Sequence, residues 1–467
     1  MKWPARIGLF LGPILATAIM VAPTPEGLTV EGQRGLAVLA LCVVWWLLTP
    51  VALPVTALVG LALLPVLGVL EPAEAFSLFG NQAVFFVVGV FLVAAAMLRT
   101  GLSKRLALWC MRRMARSEDQ LAGAVLLLSW GLCAVVVSHA VAALMLPIVL
   151  GLIQALDLGP RSRLARRLLL SMAWGTIVGS NLTLFSSARA SLALSTYSTW
   201  MADNNQDAAP IGFLEFSSAT ALICTALLPL VFLWLRRAFP EEGVPLAPAV
   251  AKLDAEVAEM GAVSSLEIRT LFVLALVIPC LVIYGPTYGL GTVALLGGAS
   301  LFALGVLQWK IAERYVNWGI VLLYGGAIAI GAGVDKSGAM GWVVDSVLPQ
   351  GSAPVFVAVL VIAGLAMLMT EFVSNAAVIA LALPAVLAIS PHLGLDGRTV
   401  TILMSVACGL AFSMPTSTPA MAMVFGTGYV GIRRAVVVGS VLSLVSLGVL
   451  VLVVMYAWPL LGLGVLT

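Results

Sequence analysis

The chain has 467 residues, 62% of them hydrophobic and 10% charged, with a formal net charge of +3 and a mean hydropathy of +1.12. Soluble domains carry about 25% charged residues, so a soluble globular chain is excluded. The basic residues lie in short loops and form no nucleic-acid-binding patch. Apolar runs of about 20 residues recur from end to end, too long for barrel strands, and open sheets cannot satisfy their backbone in lipid. The composition predicts an all-α polytopic membrane protein of about 11 spans.

Lys2 and Arg6 precede a first span at 7–22, read as retained and not as a cleaved signal peptide. Glu26 and Glu31 follow it, then two tightly linked spans near 35–50 and 53–70 and an acidic loop with Glu71 and Glu74. The span at 82–99 runs into Arg99, Lys104, Arg105, Arg112, Arg113 and Arg116, interleaved with Leu106, Leu108, Trp109 and Met114 as in an interfacial helix. Positive loops mark the cytoplasmic side, which puts the N-terminus in the cytoplasm and the chain in the cell inner membrane. The segment 121–157 is bounded on both ends by basic residues, with Arg161, Arg163, Arg166 and Arg167 after it. It is too long for one span and carries polar Ser138-His139 near its middle, so it predicts a re-entrant hairpin, tolerated only where buried in protein or facing water.

A span over 168–200 exits to Asp203 and Asp207, and 212–235 returns to Arg236 and Arg237. Residues 238–265, with Pro240, Pro245, Pro248 and a short helical pattern over 252–259, form a hydrophilic cytoplasmic linker between two halves. Two spans (268–284 and 290–308) precede Lys310 and Arg314, and a second hairpin covers 353–390 between Asp335, Asp345 and Asp396. Arg433 and Arg434 precede the last span, 435–460. The predicted division is 1–78 scaffold spans, 79–237 first repeat, 238–265 linker, 266–309 two scaffold spans and 310–467 second repeat. None of the six cysteines forms a metal-spaced pair or a disulfide framework.

Duplication underlies that division. Fifty-seven positions separate Asn81 from Ser138, and fifty-seven separate Asn317 from Ser374. Val137-Ser138-His139-Ala140 leads to Pro147 as Glu371-Phe372-Val373-Ser374-Asn375 leads to Pro384. By the loop charges the copies enter the membrane from opposite sides, so the repeats are inverted. Each hairpin is followed by an interrupted span, Gly179-Ser180-Asn181 through Ser187-Ala188-Arg189 in the first half and Ser413-Met414-Pro415-Thr416-Ser417-Thr418-Pro419 in the second. Proline removes helix hydrogen bonds, and a broken helix offers N–H groups to an anion and carbonyls to a cation. Arg189, deep in its span, is costly unless paired. It is expected to carry part of an anion's charge, the alternative being structural pairing. His139 reads as a proton-linked group or a neutral hydrogen-bonding one. Glu371 reads as a cation ligand or, preferably, as an anchor for its hairpin.

The run from Thr370 to Ala376 with Pro384 resembles the second Ser-Asn-Thr hairpin of the divalent anion/sodium symporter family. Leu410–Pro419 followed by Val424-Phe425-Gly426-Thr427-Gly428-Tyr429 is similar to its second broken helix. The resemblance, over about 35–460, implies a homodimer, an elevator-like transport domain, sodium as the coupling ion with no other cofactor, and dicarboxylate, tricarboxylate or sulfate uptake, of which a small divalent anion, most simply a dicarboxylate, is the expected substrate. The expected substrate contacts are Ser138, His139, Ser187, Arg189, Ser374, Asn375 and Thr418, Arg189 being read from its depth in the span and not from the family pattern. Sodium would sit at Ser138, Ser180 and Asn181 in the first half and at Ser374, Asn375, Ala376, Thr416 and Thr418 in the second. The chain departs from the family at Val137-Ser138-His139 (aligned on Pro147) or Ser138-His139-Ala140 (aligned on Ser138), at Ala376, at Ser187-Ala188-Arg189-Ala190 and at Thr418-Pro419-Ala420-Met421, so sodium is expected to bind more tightly at the second hairpin. Rival readings are proton-coupled or sodium-independent exchange, favoured by His139, and an intramembrane enzyme, for which no nucleophile or metalloprotease motif exists in the sequence.

Overall fold

The computed structural model describes residues 3–203, 210–347 and 354–463, and every regular element among them is helical. Asp207 lies outside the described residues. The N-terminal part holds α1 (Trp3–Val21), α2 (Val30–Leu48), α3 (Leu53–Val66) and α4 (Pro72–Phe79). A first series follows as α5 (Gln82–Thr100), α6 (Leu102–Met114), α7 (Glu118–Leu132), α8 (Ser138–Ala155), α9 (Arg163–Gly179), α10 (Ala188–Asp203) and α11 (Phe213–Ala238). After α12 (Ala247–Glu259) come α13 (Ser265–Ile283), α14 (Gly285–Tyr288), α15 (Leu290–Ala303) and α16 (Trp309–Tyr315). The series then restarts with α17 (Trp318–Lys336), α18 (Ala339–Val347), α19 (Val355–Phe372), α20 (Asn375–Ile389), α21 (Gly397–Ala407), α22 (Pro419–Gly426) and α23 (Ile432–Leu452). Both series run long helix, short helix, hairpin pair, broken pair, long helix.

Among the described residues nine helical stretches are long and apolar enough to cross a membrane, and α3, α15 and α21 are apolar but shorter. Length alone does not count spans here, because hairpin arms and half-helices stop part-way. Equivalent caps start the two series: Asn81 Oδ1 accepts from Ala83 N–H at 2.9 Å and Asn317 Oδ1 from Ile320 N–H at 3.2 Å. Apolar side chains such as Phe272, Leu276, Leu365 and Leu444 stand exposed on α13, α19 and α23, as lipid-facing surfaces require.

The halves are cross-packed. Helix α5 lies against α15 and α16, and α17 lies against α3 and α4. Lipid tails are as apolar as leucine, so such contacts depend on close approach of small residues. A Cβ on Gly89 would fall 2.5 Å from the carbonyl of Ala294, and one on Gly326 would fall 2.6 Å from Ala57 O. The inner helices interlock across the repeats, α10 against α20 and α21, and α22 against α8 and α9.

The linker is a strap, which the sequence reading of a mere separator did not anticipate. Helix α12 packs on α6 and α8. Lys104 pairs with Glu256 at 3.4 Å and Arg112 with Asp254 at 2.5 Å. Arg105 pairs with Glu267 at 2.6 Å and donates to the carbonyls of Met260, Gly261 and Ala262. The basic face of α6 is therefore spent largely on the linker, while Leu106 and Trp109 stay exposed. Glu118 at the start of α7 accepts from Glu242 and Val244 N–H. Glu242 in turn caps α9, accepting from Ser162 Oγ, Arg163 N–H and Leu164 N–H. Burial alone would raise the Glu242 carboxyl, but these donors outweigh it and hold the group below its ordinary range.

Because these close approaches carry the cross-packing, Gly89→Val or Gly326→Val should destabilise the chain by about 1–3 kcal/mol or more. Gly331→Ala should be nearly neutral, since the nearest atom to its Cβ is Pro384 Cγ at 3.7 Å. Thermal unfolding in detergent compares the three, and equal transitions would remove the role given to the glycines.

Candidate functional site

The two hairpins turn where the helical pattern gives way to extended backbone. Residues 133–137 connect α7 to α8, with Val137 at φ −59°, ψ 138°. Only Val373 and Ser374 separate α19 from α20, and Ser374 at φ −62°, ψ 139° caps α20 by accepting from Ala377 N–H. The broken spans part over 180–187 and 408–418. Thr418 caps α22 by accepting from Met421 N–H at 3.2 Å, and Pro419 occupies the first turn, where its missing N–H costs nothing.

Each tip is clasped to the break of its own repeat. Ser138 N–H donates to Ser186 O at 2.9 Å, and Thr183 Oγ1 donates to Ala134 O at 2.9 Å. On the other side the buried Glu371 carboxylate accepts from three consecutive N–H groups, Phe412 and Ser413 at 3.1 Å and Met414 at 2.9 Å. Thr416 Oγ1 donates to Glu371 O at 2.8 Å. Glu371 thus anchors the end of α19 to the break after α21.

Between the clasped pairs lies a cavity of about 500 Å³. Ser138, His139, Ser180, Ser187, Arg189, Ser374, Asn375, Ala376, Thr416 and Thr418 all line it. Asn181 does not line it and is buried behind Arg189. Sequence reasoning missed Thr176, Tyr324, Ser186 and Ser417 on the wall. Tyr324 left one signal, a phenol inside the apolar, glycine-rich α17. The N-termini of α8, α10, α20 and α22 reach the wall at Ser138, Ala188, Asn375 and Pro419. No carboxylate lines it among the described residues, and Arg189 is the one arginine or lysine that does. The His139 ring packs edge-on against Phe91 at 5.9 Å.

Two polar groups at the wall differ in how far they are satisfied. Asn375 Oδ1 is buried with no hydrogen-bond partner, an expensive condition unless a ligand completes it. Arg189, by contrast, is almost fully engaged. Its Nε donates to Ser405 O at 2.9 Å and Nη1 to Ser187 Oγ at 2.8 Å. Nη2 donates to Asn181 Oδ1 at 2.5 Å and to Ser180 O and Oγ at 3.1 and 3.2 Å. The planar fork expected to clasp an anion is therefore turned on the protein, and one Nη1 hydrogen is left for the cavity. Ser180 and Asn181, expected to hold a sodium ion, are occupied by the same guanidinium. No group of three His, Cys, Asp or Glu side chains able to hold a metal occurs among the described residues. The oxygens at the second hairpin are of the hard, neutral kind that suits an alkali cation.

Comparison with known proteins gives a consistent picture. Residues 6–464 match the family model of the sodium:sulfate symporter transmembrane region. The chain is 26% identical over 482 residues to a sodium-dependent dicarboxylate transporter of Staphylococcus saprophyticus, covering 97% of this chain and 91% of that protein. It is 26% identical over 481 residues to the transporter of the same name from Staphylococcus aureus strain bovine RF122 / ET3-1, with the same coverage. In fold it is similar to MtrF of Neisseria gonorrhoeae, described as one of a class of antimetabolite efflux pumps, with a TM-score of 0.58 at 12% identity over 97% of this chain and 94% of that one.

Replacing Glu371 by Gln removes one acceptor oxygen and turns an amide N–H₂ toward the N–H groups of residues 412–414. Each buried N–H left unpaired costs about 1–3 kcal/mol, so Glu371→Gln should lower the unfolding temperature and speed amide exchange across 410–418. Exchange there at the wild-type rate would show that the clasp does not hold the break.

Proposed function

This chain belongs to the sodium:sulfate symporter family, and from that footing we propose that it carries a small divalent anion, most simply a dicarboxylate, across the membrane together with sodium. It is a secondary transporter of the membrane and not an enzyme. The observation that carries the substrate class is the convergence of four helix N-termini on a cavity free of carboxylates. Each N-terminus contributes unpaired N–H groups and roughly half a positive charge, and an anion without a countercharge in the wall is what such a field favours. About 500 Å³ suits a molecule with two carboxylates.

In this reading Ser138, His139, Ser187, Ser374, Asn375 and Thr418 supply donors to the two ends of the anion, and Arg189 adds its charge and one N–H. Sodium binds beside the second hairpin, where Asn375 Oδ1 waits without a partner and Ser374, Ala376, Thr416 and Thr418 offer hydroxyl and main-chain oxygens. Hairpins and half-helices α7–α10 and α19–α22 form the moving body, riding on the cross-packed α2, α3, α5, α13, α15 and α17. The family resemblance adds a homodimer joined through the scaffold. Leu53 and Ile320, at the starts of α3 and α17, border the cavity, and the loop charges assign those ends to the cytoplasm, so this arrangement is the inward-facing one.

Proteoliposomes given an inward sodium gradient should accumulate labelled succinate, and unlabelled dicarboxylates should compete. Asn375→Ala should cut the sodium-dependent rate at least about tenfold, the loss of a ligand worth roughly 1.4 kcal/mol or more. Accumulation driven by a proton gradient in sodium-free buffer, or no uptake of any divalent anion, would overturn the reading.

A further inference from the structure

The first repeat contains a cage of five oxygens already filled by a cation of the protein itself. Two are main-chain carbonyls, Ser180 O just after α9 and Ser405 O in the last turn of α21. Helix C-terminal carbonyls have no partner in their own helix and lie at the negative end of its dipole. Ser405 O is free because Gly409 N–H, which would meet it in a continuous helix, bonds to Val406 O. The remaining three are Ser180 Oγ, Asn181 Oδ1 and Ser187 Oγ. Neutral oxygens converging on paired helix C-termini make a cation site. Here the cation is the guanidinium of Arg189, 4% exposed and paired with no carboxylate among the described residues. Gly409 leaves the room it needs, since a Cβ there would land on Nη2 and on Asn181 Oδ1. Across the cavity the comparable amide oxygen, Asn375 Oδ1, has no partner at all.

We propose that Arg189 is a tethered cation. Its guanidinium permanently fills the cation position of the first repeat, leaving one exchangeable sodium site, at the second hairpin. The number of sodium ions rests on the sodium-coupled reading above, whereas the filled cage rests on the geometry alone. Arg189 consequently acts as a positioning group: it locks the break after α9 to the end of α21 and supplies a constant positive charge to the anion without drawing an ion from solution.

The test is a sodium titration of thermal stability, in choline-balanced buffer, with wild type, Asn375→Ala, Arg189→Ala and Gly409→Ala. Wild type should show one saturable rise of roughly 2–5 °C, and Asn375→Ala should lose it. Arg189→Ala, its cage empty, should gain a second sodium phase that low concentrations of guanidinium abolish by taking the same place. Should that variant not fold, Gly409→Ala, which drives the guanidinium out, should gain the phase instead. Two sodium phases in wild type, a phase surviving Asn375→Ala, or no new phase and no guanidinium effect in either cage variant would overturn the proposal. Absence of any sodium effect in wild type would instead sink sodium coupling, and the guanidinium response of the cage variants would still decide whether the cage is a cation site.

Discussion

Helices that stop and start in the middle of a lipid-embedded protein must have their open ends satisfied from within. Helices α8, α10, α20 and α22 begin at one cavity and α9 ends beside it, while α7, α19 and α21 lead into the turns and the break that border it. Each end leaves up to about four N–H or C=O groups without intrahelical partners, and hydrocarbon supplies none. Much of the inner architecture answers that demand. Tip is clasped to break in each half, by main-chain and hydroxyl bonds of Ser138 and Thr183 in the first and by the Glu371 carboxylate and Thr416 hydroxyl in the second.

Two buried charges finish the accommodation, and they are not paired with each other. Glu371 meets three N–H groups after α21, and Arg189 meets carbonyls after α9 and within the last turn of α21. A carboxylate satisfies donors and a guanidinium satisfies acceptors, so each charge neutralises the kind of backbone group that a broken helix leaves behind. An isolated buried charge is costly, but one fully coordinated by oriented dipoles fixes a geometry that no apolar side chain could. The consequence for transport is a site whose electrostatic field is largely built in before any ion or substrate arrives.

The outer part supplies a closely packed frame around that site. Glycine lets α5 approach α15 and α17 approach α3 with backbones nearly touching, so the frame is held by short-range packing. The linker adds charged contacts from α12 to α6 and ties the starts of α7 and α9 together through Glu118 and Glu242. The strap thereby joins the connection between the halves to the first hairpin and its broken helix, and not only to the frame.

The sequence by itself determined the membrane class and the family, and its polar clusters mark where helices start, at Ser138 and beside Ser374, and where they break, near Ser180 and Pro415. Those features are local: hydropathy over a span, a proline or a polar cluster within it, and the charge of the loop beside it, all readable over about 20 residues. The anchoring role preferred for Glu371 was also legible, because a lone carboxylate in an apolar helix needs donors and an interrupted helix provides them. Only the tertiary structure decided what Arg189 touches, since Ser405 is 216 positions away in the chain and no spacing rule links the two. It likewise withdrew Asn181 from the cavity, brought in Tyr324 and turned the linker into a strap. Hydrogen-bond partners at helix ends depend on directions and distances of about 3 Å, which residue identity along the chain does not encode and the packing of one repeat against the other does.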